Sequence, residues 1–153
     1  MTANRTHAEV RQHFNATPQK IFTAFAEERW VSHWLSPSPD ITLKVLQFDF
    51  RVGGAYRFAY HLPEGKAVTI NGVYREIEPP SKIVFSWIIE PPDEHAGILS
   101  EVTVTITPYG DGVELLICHE KLMRTDAIER HAQGWHGALE QLTALLETER
   151  KLK

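Results

Sequence analysis

Apolar residues at Ile128, Trp135, Ala138, Leu139, Leu142, Leu145 and Leu146 recur at spacings of three, four and seven, with Glu129, Arg130, Gln133, Glu140, Gln141 and Glu147 falling between them. That pattern gives a helix over residues 125–149 one apolar stripe and one wet face. Thr125 or Asp126 can cap its start, Glu129 sits three residues after Asp126 in a box-like arrangement, and Lys151 and Lys153 suit the negative end of the helix dipole. At ~1.5 Å per residue such a helix is on the order of 35 Å long, so it must lie across something broad.

What precedes it reads mostly as strands. Ala8, Val10, Gln12 and Phe14 alternate with Glu9, Arg11 and His13, the period of a half-buried strand. Thr17-Pro18 then opens a short helix with Ile21, Phe22 and Phe25 on one face, and a second short helix over 28–35 carries Trp30, Val31, Trp34 and Leu35 before Ser36-Pro37-Ser38-Pro39 stops it. Segments 44–50, 55–61, 67–77, 82–90, 100–108 and 113–119 are rich in β-branched and aromatic residues. Short turn clusters separate them, among them Val52-Gly53-Gly54, Pro79-Pro80-Ser81 and Gly110-Asp111-Gly112, and connections this short favour antiparallel hairpins. In 101–107, Val102, Val104 and Ile106 alternate with Glu101, Thr103, Thr105 and Thr107, so one face is covered and one is wet. The expected fold is α+β: a curved antiparallel sheet of about seven strands wrapped on the long C-terminal helix, with two short helices after the first strand. Gly134 and Gly137 inside the long helix cost roughly 1 kcal/mol each relative to Ala, which points to a need for room, either for close packing or for a ligand.

Composition narrows the possibilities. The 153 residues are one-domain length, with a core over about 8–149, and 42% hydrophobic against 24% charged residues rules against disorder. A net charge of −4 offers nothing to nucleic acid or an anionic membrane, and the two short helices lack the basic residues of a DNA reader. The lone Cys118 cannot form an internal disulfide and reads as a small core residue; no apolar run near Met1 resembles a signal peptide or a membrane span, so a cytoplasmic protein is expected.

Motifs for catalysis or metal binding are absent from the pattern. His119-Glu120 continues Lys121-Leu122-Met123 without the second histidine of a zinc-protease helix, and His131 and His136, about 500° apart around a helix, do not converge on one ion. Glu27-Glu28 and Asp93-Glu94 read as solvated charges, and Asp49 as an acceptor for turn amides. No catalytic residue, metal or cofactor is therefore assigned. A curved sheet on one helix leaves a space between them, and the residues expected to line it are Trp34, Tyr56, Phe58, Tyr60, Phe85, Trp87, Trp135 and Leu139, with His119, His61 or Asn71 supplying a polar contact. A buried, unpaired Arg57 or Arg75 would point to an anionic ligand.

The order Phe48-Asp49, Arg51-Val52-Gly53-Gly54, Tyr56-Arg57-Phe58, then residues 71–80 (Asn71-Gly72-Val73-Tyr74-Arg75-Glu76-Ile77-Glu78-Pro79-Pro80), Val84-Phe85-Ser86-Trp87, and Gly134-Trp135 followed by Leu139 and Leu142 resembles the activator of heat shock protein 90 ATPase homologue 1-like family. Asn15-Ala16-Thr17-Pro18 before Ile21-Phe22 fits as well, and the likeness runs from about residue 9 to 146. The resemblance implies a START-like (SRPBCC) helix-grip fold and a cavity for a hydrophobic or aromatic small molecule. Two other readings stay open: an enzyme of the cyclase, dehydratase or isomerase kind, and a chaperone-interacting module tied to stress response. The latter is weakened because 153 residues leave no room for the further domain through which the eukaryotic namesake engages its chaperone. A monomer or a homodimer is expected.

Overall fold

The computed structural model describes residues 7–151, the last two as backbone only. In chain order these form β1 (His7–Phe14), α1 (Pro18–Ala26), α2 (Glu28–Trp34), β2 (Thr42–Phe48), β3 (Ala55–His61), β4 (Ala67–Glu78), β5 (Lys82–Ile89), β6 (Ser100–Tyr109), β7 (Gly112–Glu120) and α3 (Thr125–Lys151). The seven strands make one antiparallel sheet in the order β1-β7-β6-β5-β4-β3-β2. Strands β2 to β7 follow one another as hairpins, and β1 returns to pair with β7. The two short helices therefore carry the chain from one sheet edge to the other. Register shifts at Val45/Gln47 and Tyr74/Glu76 add local twist and help the sheet to curl.

Helix α1 begins as its sequence dictates. The Thr17 hydroxyl accepts from the Lys20 amide at 3.1 Å, with Pro18 in the first turn where a missing N–H costs nothing. Helix α3 buries Ile128, Trp135, Ala138, Leu139, Leu142 and Leu146 against the sheet and leaves Glu129, Gln133, Glu140 and Glu147 in water. Its start differs from the expected capping box. Asp126 lies inside the first turn, where its carboxylate takes the Arg124 guanidinium and the Nε2 of His95 at 3.1 Å, and Glu129 stays exposed. The same carboxylate also accepts the Ala127 amide at 3.0 Å, so it caps the helix start from within the first turn while pairing with the Arg124 guanidinium. At the helix's far end, the charges of Lys151 and Lys153 fall outside the described side chains.

The core lies between the concave sheet face and the helices. Val102, Val104 and Ile106 of β6 and Val113, Leu115 and Ile117 of β7 are fully covered there. The alternation on β7 that turns Ile117 and His119 inward turns Cys118 outward, so Cys118 is a half-buried residue of the outer face and not a core residue. Burial first, then the nearby Glu120 and Glu9 carboxylates, push its thiol up to about 11. Asp49 likewise departs from the expected turn acceptor: its carboxylate holds the Arg51 Nε at 2.9 and 3.1 Å. Arg57 and Arg75 both occupy the outer face, and Arg57 is bound to Glu90 by two 2.9 Å hydrogen bonds, so neither arginine aims a free charge inward. No helix among the described residues is long and apolar enough to cross a membrane.

Candidate ligand-binding site

Between the sheet and α3 lies a cavity of about 410 Å³. Its floor is Tyr60 of β3, Val68 and Ile70 of β4, and Trp87 and Ile89 of β5, joined by Leu62; its roof is Arg130, His131, Gln133, Gly134, Trp135 and Ala138 of α3. Leu35, Ser36, Pro37 and Ile41 from the loop after α2 close one end. The lining is mostly apolar, and the volume falls in the range that encloses a small organic molecule.

The two helical glycines do different work here. A Cβ on Gly137 would overlap the Pro37 carbonyl, so this glycine lets the post-α2 loop press against α3. Gln141 fixes the same contact by donating from Nε2 to the Ser36 carbonyl at 2.6 Å, while the Ser36 hydroxyl lies 2.7 Å from the Ile41 carbonyl. A Cβ on Gly134 would find only the Pro37 ring at 3.9 Å, and Gly134 borders the cavity. Close packing thus explains Gly137, and space explains Gly134.

A chain of hydrogen bonds sets the position of Trp135. Its indole N–H donates to Nδ1 of His119 at 3.1 Å. The Ser100 hydroxyl gives its single proton to the Trp87 carbonyl at 2.8 Å, so it accepts from Nε2–H of His119 at 2.8 Å. His119 is fully covered, and burial, reinforced by neighbouring His131, holds its pKa well below the usual histidine value. It is a neutral, fully paired residue that ties α3 to β5, β6 and β7 behind the cavity wall.

His131 is different. Its Nδ1 lies 2.7 Å from the Ala127 carbonyl and must donate to it, which leaves Nε2 as the lone-pair nitrogen. Burial, chiefly, lowers its pKa and the Arg130 charge adds to this, while the Ala127 bond and the Asp93 carboxylate oppose it. Nε2 has no hydrogen-bond partner among the described residues. The Trp87 ring crosses the His131 ring edge-on with centroids 6.0 Å apart, and the Trp87 indole N–H is also buried without an acceptor. The Tyr60 hydroxyl, on a residue 7% exposed, makes no hydrogen bond within the described residues, and burial raises its pKa so that it stays a phenol.

At the cavity mouth Arg130 is held by Asp93 through two bonds of 2.8 and 2.9 Å, and a further Arg130 N–H donates to Nδ1 of His95 at 2.7 Å. Asp93 is therefore a paired, mostly buried group and not the solvated charge its sequence context suggests; the guanidinium, chiefly, brings its pKa down to about 2. The pair pins the loop between β5 and β6 onto α3, with buried His95 bridging Arg130 and Asp126.

Of the residues named from sequence, Tyr60, Trp87 and Trp135 meet at this cavity. Trp34, Tyr56, Phe58, Phe85 and Leu139 pack in the core outside its lining, Trp34 donating to the Ala24 carbonyl at 2.9 Å and Tyr56 to the Ser86 carbonyl at 2.6 Å. His119 stands one layer behind Trp135. His61 is exposed on the sheet, and Asn71 donates to Glu90 at 2.9 Å on the outer face. His131 was missed, although it falls four residues before Trp135 and seven before Ala138, on the apolar stripe.

A curved antiparallel sheet closed by one long helix, with a cavity at their seam, defines the helix-grip class. The sequence profile of the family described as "Activator of Hsp90 ATPase homolog 1-like protein" matches residues 15–147, and the chain belongs to that family. Among solved structures, CV1439 from Chromobacterium violaceum is 28% identical, with 92% of this chain and 97% of that one covered at a TM-score of 0.79. The AHSA1 protein SPO3351 from Silicibacter pomeroyi is 22% identical over 94% of this chain and 99% of its own, at a TM-score of 0.83, and shares the fold. No curated protein matches the chain.

Proposed function

We propose that this protein binds an uncharged, largely apolar small molecule between its sheet and α3 and does so without turning it over. The observation that carries the reading is the cavity of about 410 Å³ walled by Trp87, Trp135, Ile70 and Ile89. The one cation among its described lining residues, Arg130, is neutralised by Asp93. Binding is favoured over catalysis because no carboxylate lines the cavity among the described residues, His119 spends both ring nitrogens on Trp135 and Ser100, and His131 has its Nδ1–H on the Ala127 carbonyl and so lacks the carboxylate partner that would make its free nitrogen a strong base. A cytoplasmic location suits such a carrier. The chaperone reading rests on the family description alone and predicts stimulation of a chaperone ATPase.

Native mass spectrometry of protein purified without added ligand tests the proposal. A bound small molecule is expected with the wild type and is expected to be lost in Gly134→Leu, whose side chain extends from a roof position where a Cβ meets only the Pro37 ring at 3.9 Å. Equal retention by both proteins would refute a site at this seam.

A further inference from the structure

We infer that the guest of this cavity carries a hydroxyl group on an uncharged apolar frame, the hydroxyl proton donated to Nε2 of His131 and the frame laid against Trp87 and Trp135. The inference rests on the ligand-cavity reading and adds the chemistry of the occupant.

His131 is more than nine-tenths buried, lines the cavity, and has its Nδ1–H committed to the Ala127 carbonyl at 2.7 Å. The ring is thus fixed in one tautomer, with an acceptor on the edge remote from its own helix backbone. Burial keeps the imidazole neutral, so the lone pair stays available. A pure hydrocarbon would cover this nitrogen and leave it unsatisfied, which opposes binding. A carboxylate would bring a second negative charge to an arginine already matched by Asp93, and would lose its hydration for no unpaired cation. An ammonium would meet no carboxylate on the lining among the described residues.

A neutral proton donor remains. A hydroxyl suits the wall better than an N–H because its oxygen also accepts, and the Tyr60 hydroxyl on the same wall is a donor without an acceptor among the described residues. The covered indole N–H of Trp87 is closed to the cavity and takes no part in this contact.

The test uses three probes of one size and shape: 2-naphthol, 2-methoxynaphthalene and 2-naphthoate, titrated against the full chain by tryptophan fluorescence. The wild type is expected to bind 2-naphthol about five- to tenfold more tightly than its methyl ether, the worth of one buried hydrogen bond, and 2-naphthoate most weakly. His131→Leu should abolish the preference for naphthol over the ether and keep binding of the ether, whereas Tyr60→Phe should retain most of it. Should His131→Leu not fold, the imidazole ¹⁵N spectrum of the wild type gives the same answer, because only the Nε2 resonance of His131 should move toward the hydrogen-bonded range on adding 2-naphthol. Equal affinity for naphthol and ether, or a preference that survives His131→Leu, overturns the inference while leaving the cavity as a site. Failure of all three probes to bind overturns both.

Discussion

Replacing His119 by leucine isolates the hydrogen-bond chain behind the cavity. The substitution puts an apolar side chain of similar size in a fully covered position and removes the acceptor of the Trp135 indole N–H. Ser100 keeps its bond to the Trp87 carbonyl and so loses only a donated proton. The dominant cost is one buried donor left unpaired, about 1–3 kcal/mol, so a net loss of about 2 kcal/mol is expected. For a chain of this length that corresponds to a fall in Tm of about 4–8 °C. Trp135→Phe removes the stranded N–H, so the double variant should be less damaged than the two single losses added together, by at least about 1 kcal/mol. Urea denaturation of the four proteins, read as the shift in midpoint at constant m, measures the cycle. If His119→Leu costs under about 0.5 kcal/mol, or the two changes add within the same margin, the hydrogen bonds do not hold Trp135 in place.

Three more outcomes follow from the geometry. Gly137→Ala should destabilise by about 2 kcal/mol or more because its Cβ overlaps the Pro37 carbonyl, whereas Gly134→Ala, with only the Pro37 ring at 3.9 Å, should be neutral or stabilising by up to about 1 kcal/mol; thermal melts that give the two the same sign would contradict the assignment of room and contact. His119 and His131 are held below their ordinary pKa in the folded protein, so the unfolded chain binds more protons below ~6.5 and their share of stability, complete above that pH, is lost as pH falls. Urea midpoints at pH 7.5 and 5.5 should record a loss on the order of 1 kcal/mol per histidine, and a flat profile would show that neither is buried neutral. Asp93→Asn should cost about 1–2 kcal/mol by stripping the carboxylate from Arg130, the figure kept low because that guanidinium is partly in water; its absence in the same urea assay would mean the latch is dispensable.

Much of this architecture was legible because it is written in periodicity. The stripe from Ile128 to Leu146 specified α3, and the alternation around Val102 specified a sheet with one wet face. Tyr60, Trp87 and Trp135 were legible as wall residues because large aromatics on facing elements have few other places to meet. The polar part was not. His131 shares the apolar stripe, but an imidazole reads as a surface group until its Nδ1 is seen bound to the helix behind it. Arg130 and Asp93 are 37 residues apart, and no local pattern announces that they will pair. Trp34 misled in the opposite direction: its composition suits a ligand wall, yet its N–H is consumed by Ala24 within the helix pair. Ser36 and Pro37 read only as a stop signal, whereas the turn they make is pressed onto Gly137 and seals one end of the cavity.

The pairing of the first strand with the last sets a schedule for making the protein. β1 finds its ladder partner about a hundred residues further along the chain, His7 lying opposite Glu120 and Phe14 opposite Val113. On the ribosome, Ala8, Val10 and Phe14 are therefore synthesised early and wait, unpaired and apolar, until β7 has emerged. Only when α3 follows β7 can the seam close, so any guest must enter after α3 has been translated.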